Sequence, residues 1–157
     1  MRTRTLPGTD LELSVVGMGC WAIGKTYWGD DVEDATSVEA IHAALDAGIN
    51  WFDTAPLYGE GHADRVLRDA LKGRSERAVI ATKIGVALKG SSGHAESQLD
   101  AAHLRSDLEA SLRRLDRETL DLVQVHWPCQ HGTPLEETFT TLQELKNEGK
   151  VRHIGVC

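Results

Sequence analysis

Short runs of β-branched and apolar residues alternate along this chain with longer stretches whose apolar positions recur every three or four residues. That alternation predicts strands followed by amphipathic helices. Arg2 to Leu6 and Leu11 to Val16 flank Pro7-Gly8-Thr9-Asp10, a turn sequence, and predict an N-terminal β-hairpin whose second arm, or the residues just after it, becomes a strand ending near Gly19. A helix is expected from about Asp34 to Ala47, with Val38, Ile41, Ala44 and Leu45 on one face and Gly48 just past its end. Ile49 to Thr54 reads as a buried strand, Val66, Leu67, Ala70 and Leu71 as a helix face, and Ala78 to Lys83 as the next strand. Lys89 to Ser97 reads as a loop, the one flexible-looking insertion. Leu104, Leu108, Leu112 and Leu115 then mark a long helix, and Leu120 to His126 a strand. Pro134 suits the start of a further helix with Leu135, Phe139, Leu142 and Leu145 buried, before a last strand over Val151 to Val156.

Strand, helix, strand in this rhythm implies right-handed βαβ units and a parallel sheet with helices outside it. No linker or low-complexity tract separates two parts, so residues 1–157 are expected to form a single domain, residues 1–16 its hairpin and 15–157 its five strands and four helices.

Composition narrows the function. The chain is 41% hydrophobic and 26% charged, within the range of soluble globular domains. The fairly apolar, charge-free stretch Val15 to Gly24 is about half of the run needed to span a bilayer, so no membrane contact is expected. The basic N-terminus has no apolar segment behind it and does not read as a secretory signal; a cytoplasmic location is expected. Three scattered cysteines, Cys20, Cys129 and Cys157, do not make a disulfide framework. A formal charge of −7, with Lys and Arg spread along the chain, argues against nucleic acid as a partner.

In parallel sheets the chemistry gathers at the carboxyl ends of the strands. By that rule the second strand ends in Asp53, the third in Lys83 and the fourth in His126, with Tyr58 in the loop after the second. Each has an ordinary alternative: a helix cap, a packed ring, a snorkelling amine, a satisfied core imidazole. Three consecutive strand ends that are ionisable inside apolar runs are harder to set aside, and Asp53 with Lys83 supplies a charge pair on adjacent strands. A tyrosine is a sluggish acid near neutrality unless its phenolate is stabilised. A neighbouring Lys⁺ does that, an Asp holds the Lys, and a His orients a carbonyl oxygen. Trp21 and Trp127 stand near the same rim, where they wall a substrate pocket or simply pack.

Two other signals point elsewhere and carry less. Gly17-Met18-Gly19-Cys20-Trp21-Ala22 fits G-x-G-x-x-A, but some dozen residues, Lys25 to Gly29 among them, intervene before a helix opens, leaving a pyrophosphate no helix N-terminus to sit on. His126, Cys129 and His131 have ligand spacing, yet a structural zinc site wants four ligands; no metal is expected.

The segment Gly48-Ile49-Asn50-Trp51-Phe52-Asp53-Thr54-Ala55-Pro56-Leu57-Tyr58-Gly59 resembles the signature of the aldo-keto reductase superfamily, and Ala81-Thr82-Lys83 and Gln124-Val125-His126-Trp127-Pro128 resemble its next two landmarks, in the family's order. The resemblance implies a (β/α)₈ barrel of the TIM type, truncated here after strand five, since such a barrel takes about 250 residues. It implies an NADPH-dependent oxidoreductase reducing aldehydes or ketones. Tyr58 would be the proton donor, Lys83 and Asp53 its tuning partners and His126 the carbonyl-orienting residue. Gly19, Cys20 and Trp21, in the loop after the first strand, would contact cofactor and substrate. The sequence departs from the family pattern at Ala63-Asp64, where Ser-Glu is usual, and at the fifth strand, which ordinarily runs Ile-Gly-Val-Ser-Asn and here has Cys157 at the serine position that grips the nicotinamide. The tetrad is present and much of the cofactor clamp is not, so the chain reads as a fragment with impaired activity or none.

Two other functions compete: a non-catalytic regulatory or binding subunit of the same fold, and a lyase or aldolase using Lys83 as a Schiff-base amine. An unclosed sheet would also leave unpaired edges at the first and fifth strands and favour self-association.

Overall fold

The computed structural model describes residues 1–25, 31–74, 78–89, 94–130 and 132–157. They form two compact units, Met1–Ala81 and Thr82–Cys157.

In the first unit β1 (Thr3–Thr5) and β2 (Glu12–Ser14) pair antiparallel, Thr3 opposite Ser14 and Thr5 opposite Glu12. Ladder bonds continue beyond these arms, the Val15 amide donating to the Arg2 carbonyl at 3.0 Å and the Leu6 amide to the Leu11 carbonyl at 2.9 Å, while Ser14 turns its backbone groups away from β1. Its amide donates to Asn50 Oδ1 at 2.8 Å, and its carbonyl accepts the Trp51 indole N–H at 3.0 Å. The chain then enters β3 (Met18–Gly19), which runs parallel to β4 (Trp51–Asp53) with Gly19 opposite Asp53. β4 in turn pairs parallel with β5 (Val79–Ile84), Asp53 opposite Ala81. A 3₁₀ turn over Ala22–Gly24 follows β3, and the helices are α1 (Asp34–Asp46) and α2 (His62–Ala70). Ile41, Leu45, Phe52 and Leu67 are essentially inaccessible and form the core, each contributing about 1.5–3 kcal/mol by leaving water. Val38 and Ala44 of the expected α1 face are only half-buried. The His42 Nε2 lies 2.8 Å from the Ala70 carbonyl oxygen and ties α1 to α2.

The second unit takes up the end of β5, then β6 (Val86–Lys89) and β7 (His94–Ser97), an antiparallel pair with Val86 opposite Ser97. This corrects the expectation of a loop from Lys89 to Ser97: both ends of that segment are strand. A Gly/Ser cluster signals a loop from sequence, but the residues on either side of it pair as strands; residues 90–93 lie outside the described part of the chain. α3 (Ala101–Leu115) opens on a genuine cap, the Asp100 carboxyl accepting the His103 amide at 3.0 Å. β8 (Leu120–Val125) and β9 (Val151–Val156) pair parallel, Leu120 opposite Val151 and Val125 opposite Val156. Between them α4 (Leu135–Asn147) buries Thr138, Thr141, Leu142 and Leu145. Leu135, expected in the core, is 60% exposed, and Phe139 is half-buried. Thr138 takes the inner position because its hydroxyl donates to the Leu99 carbonyl at 3.3 Å, which removes the penalty of burying it.

Strand order in the parallel sheet is β3-β4-β5-β8-β9, the five-stranded parallel arrangement with intervening helices that the alternation predicts. Among the described residues no helix is long and apolar enough to cross a membrane.

Candidate active site

Asp53 ends β4, Lys83 is the next-to-last residue of β5, His126 directly follows β8, and Tyr58 lies in the loop after β4. In the first unit, β3 ends at Gly19 and β4 at Asp53, and the Cys20 amide continues the ladder by donating to the Asp53 carbonyl at 2.8 Å. Cys20 is fully buried, whereas Trp21 is 48% exposed and its ring lies 6.5 Å from that of Tyr58. Here the fold brings Gly19, Cys20, Trp21, Asp53 and Tyr58 into one neighbourhood. A Cβ at Gly19 would meet nothing within 4 Å among the described residues.

Tyr58 sits in a loop with little freedom. Its amide donates to the Ala55 carbonyl at 3.0 Å, its carbonyl accepts the Ala63 amide at 3.2 Å, and the Gly61 amide reaches the Pro56 carbonyl at 2.7 Å. Gly59 holds φ at +63°, a left-handed conformation that glycine adopts without a Cβ penalty. The loop also abuts the 3₁₀ turn: a Cβ on Gly24 would stand 2.6 Å from the Tyr58 carbonyl carbon.

Two features of this neighbourhood were not visible as site elements in the sequence. Asp64, read there as a minor variation at a helix start, has no exposure and accepts the Thr54 hydroxyl at 2.7 Å. Asp34 accepts from Lys25 Nζ at 3.0 Å and lies 2.8 Å from His62 Nε2. The Lys25 hydrogen bond, then that of His62, holds the Asp34 carboxyl below the usual range. Charge patterning alone does not show that residues this distant in sequence meet.

In the second unit, Lys83 is only 4% exposed on β5. The His126 amide donates to the Ile84 carbonyl at 3.0 Å, which sets His126 directly beyond β8, and its ring lies 5.6 Å from that of Trp127. The Cys157 amide donates to the Val125 carbonyl at 3.0 Å, placing that exposed cysteine beyond β9 in line with the end of β8. Ser97 and Gln130 exchange bonds, Ser97 N–H to Gln130 Oε1 at 3.1 Å and Gln130 N–H to Ser97 Oγ at 2.8 Å, so the β6–β7 hairpin is fastened to the loop that follows His126.

The discounted signals also have structural readings. Gly17 of the G-x-G-x-x-A segment lies beneath Trp51, where a Cβ would come 2.1 Å from the indole ring. Close packing accounts for that glycine, and α1 opens only at Asp34; residues 26–30 of the intervening loop lie outside the described part. Of the ligand-spaced trio, His131 lies outside it too, and the Cys129 sulfur accepts the Thr133 amide at 3.1 Å. Among the described residues no group of three or more His, Cys, Asp or Glu could hold a metal ion.

A sequence model of the Aldo/keto reductase family matches residues 15–157. Among curated proteins the chain is 40% identical over 158 aligned residues to the aldo-keto reductase YhdN of Bacillus subtilis, covering 99% of this chain and 46% of that protein. It is 36% identical to an NADH-specific methylglyoxal reductase of Escherichia coli, covering 100% of this chain and 52% of the other. Among solved structures, the aldo-keto reductase AKR11C1 of Bacillus halodurans superposes with a TM-score of 0.89 at 31% identity, over 99% of this chain and 50% of that one. The glycerol dehydrogenase AKR11B4 of Gluconobacter oxydans gives 0.87 at 43% identity, over 98% and 47%. The chain thus spans about half the length of the relatives it matches.

Proposed function

This chain belongs to the aldo/keto reductase family, whose members are nicotinamide-dependent oxidoreductases of the (β/α)₈-barrel type, and from that premise we propose that it contributes the proton-donating machinery of an NADPH-dependent reductase of aldehydes or ketones. The observation that carries the reading is the tied loop of Tyr58 at the carboxyl end of β4, with the half-exposed Trp21 ring beside it.

In this proposal the Tyr58 hydroxyl gives its proton to the substrate oxygen. By the family resemblance Lys83 would favour the phenolate that results, because an opposite charge nearby stabilises the ionised form. By the same resemblance Asp53 would be the partner that keeps that amine charged. His126 orients the carbonyl, and Trp21 and Trp127 wall the substrate. When bound, the reduced nicotinamide supplies the hydride. Gly19, Cys20, Trp21, Asp53 and Cys157 are the residues of this chain that would hold it. In the first unit the half-exposed Trp21 ring, just past the end of β3, leaves that strand end accessible to such a group.

Preference for NADPH is part of the proposal and is not carried over from the relatives, one of which is named NADH-specific. A cytoplasmic location and a small carbonyl substrate belong to the same reading. So does self-association of residues 1–157 through β9, the last strand of the sheet order, where Val156 is 66% exposed. The test is to supply a broad aldehyde with NADPH, and in parallel with NADH, to the protein carrying these residues and to follow nicotinamide oxidation. Aldehyde-dependent oxidation faster with NADPH supports the reading. Cofactor binding with no aldehyde-dependent oxidation contradicts it.

A further inference from the structure

Asp64 and Thr54 form a bond that neither exposure nor helix-end electrostatics explains. An acidic residue in the first turn of a helix ordinarily faces solvent and interacts with the macrodipole. Asp64 is in the first turn of α2 but has no exposure, and its carboxyl oxygen takes the hydroxyl of Thr54, equally enclosed, at 2.7 Å. A hydrogen bond in such dry surroundings is electrostatically stronger than in water.

The two residues are the two ends of the Tyr58 loop. Thr54 follows Asp53 and is pinned to the sheet by its amide, which donates to the Ala81 carbonyl at 2.9 Å. Asp64 is pinned by α2. The bond closes the loop at its neck, and the Gly24–Gly59 approach holds it from the side. We infer that Asp64, acting through Thr54, is a positioning residue that fixes the Tyr58 hydroxyl for proton transfer. The inference rests on the reading of Tyr58 as proton donor given above.

The experiment compares Thr54→Val, which removes the donor and keeps the shape, with Thr54→Ser, which keeps the donor. Thr54→Val is expected to lower kcat for carbonyl reduction on the order of ten- to a hundredfold, the scale of a misplaced reacting group, with the cofactor KM within about twofold. Thr54→Ser restores kcat to within about threefold. Hydrogen exchange supplies a readout independent of turnover: in Thr54→Val the Tyr58 and Ala63 amides exchange about tenfold faster, while the Leu45 amide in α1 is unchanged. If Thr54→Val does not fold, Thr54→Cys, with its weak S–H donor, replaces it with the same expected order of rates. Unchanged kcat despite a lowered melting temperature, no rescue by serine, or exchange that accelerates equally in α1 would overturn the inference. Turnover retained by Tyr58→Phe would overturn the underlying reading. Turnover lost in Tyr58→Phe with unaltered loop exchange in Thr54→Val would sink the positioning role alone.

Discussion

Gly24 and Gly59 pass each other backbone to backbone, so close that a Cβ on Gly59 would lie 2.3 Å from the Gly24 carbonyl oxygen. Backbone cannot swing aside as the end of a flexible side chain can. Gly59→Ala combines this clash with a left-handed φ, and Gly24→Ala meets the Tyr58 backbone; each should destabilise by about 1–3 kcal/mol. Gly19→Ala, at which a Cβ meets nothing within 4 Å among the described residues, should stay within about 0.5 kcal/mol of the parent. Urea unfolding midpoints check the contrast, and equal losses at all three positions would refute the packing account.

Thr82 carries a hydroxyl that is fully buried and has no hydrogen-bond partner among the described residues. Thr82→Val replaces it with a methyl group of the same shape and relieves an unsatisfied group. We expect the 157-residue chain to gain about 1 kcal/mol, read as a higher urea midpoint at unchanged slope. A loss of stability would show that the hydroxyl is satisfied in solution.

Asp34 is held below its ordinary 3.8 by Lys25 and, next, by His62. A carboxyl lowered in the folded state contributes stability above its unfolded value, and the contribution disappears as pH falls through the folded one. Asp34→Asn should therefore cost a few tenths of a kcal/mol, about the worth of a solvent-screened pair, near neutral pH and nothing in strong acid. Urea melts of the two proteins across that range are expected to converge on acidification. A gap that persists in acid would mean that the loss comes from packing.

Much of this arrangement is legible in the residues themselves, for a physical reason. Asp53, Lys83 and His126 interrupt or end apolar runs, and a polar group there is expensive enough to be noticed without coordinates. The helices around Ile41, Leu67 and Leu108 announce themselves by period. The features that escaped depend on partners far along the chain. Gly17 reads as part of a phosphate-loop lookalike until Trp51 is seen lying over it, and Asp64 reads as a surface acid until Thr54 is seen donating to it. Leu135 fits the apolar period of α4, yet threonines able to hydrogen-bond locally occupy the inner face beside Leu142. The β6–β7 pairing escapes the pattern because Val86–Lys89 and His94–Ser97 are too short to show a period of their own.

In the proposed function the Tyr58 hydroxyl delivers the proton to the carbonyl oxygen. Tyr58→Phe deletes that one oxygen from a loop held by backbone bonds that the substitution does not touch. Steady-state reduction of an aldehyde, with cofactor affinity determined separately by fluorescence titration, should show turnover reduced by about a thousandfold or more with cofactor binding within about twofold. Turnover within about tenfold of the parent, at unaltered affinity, would contradict the account.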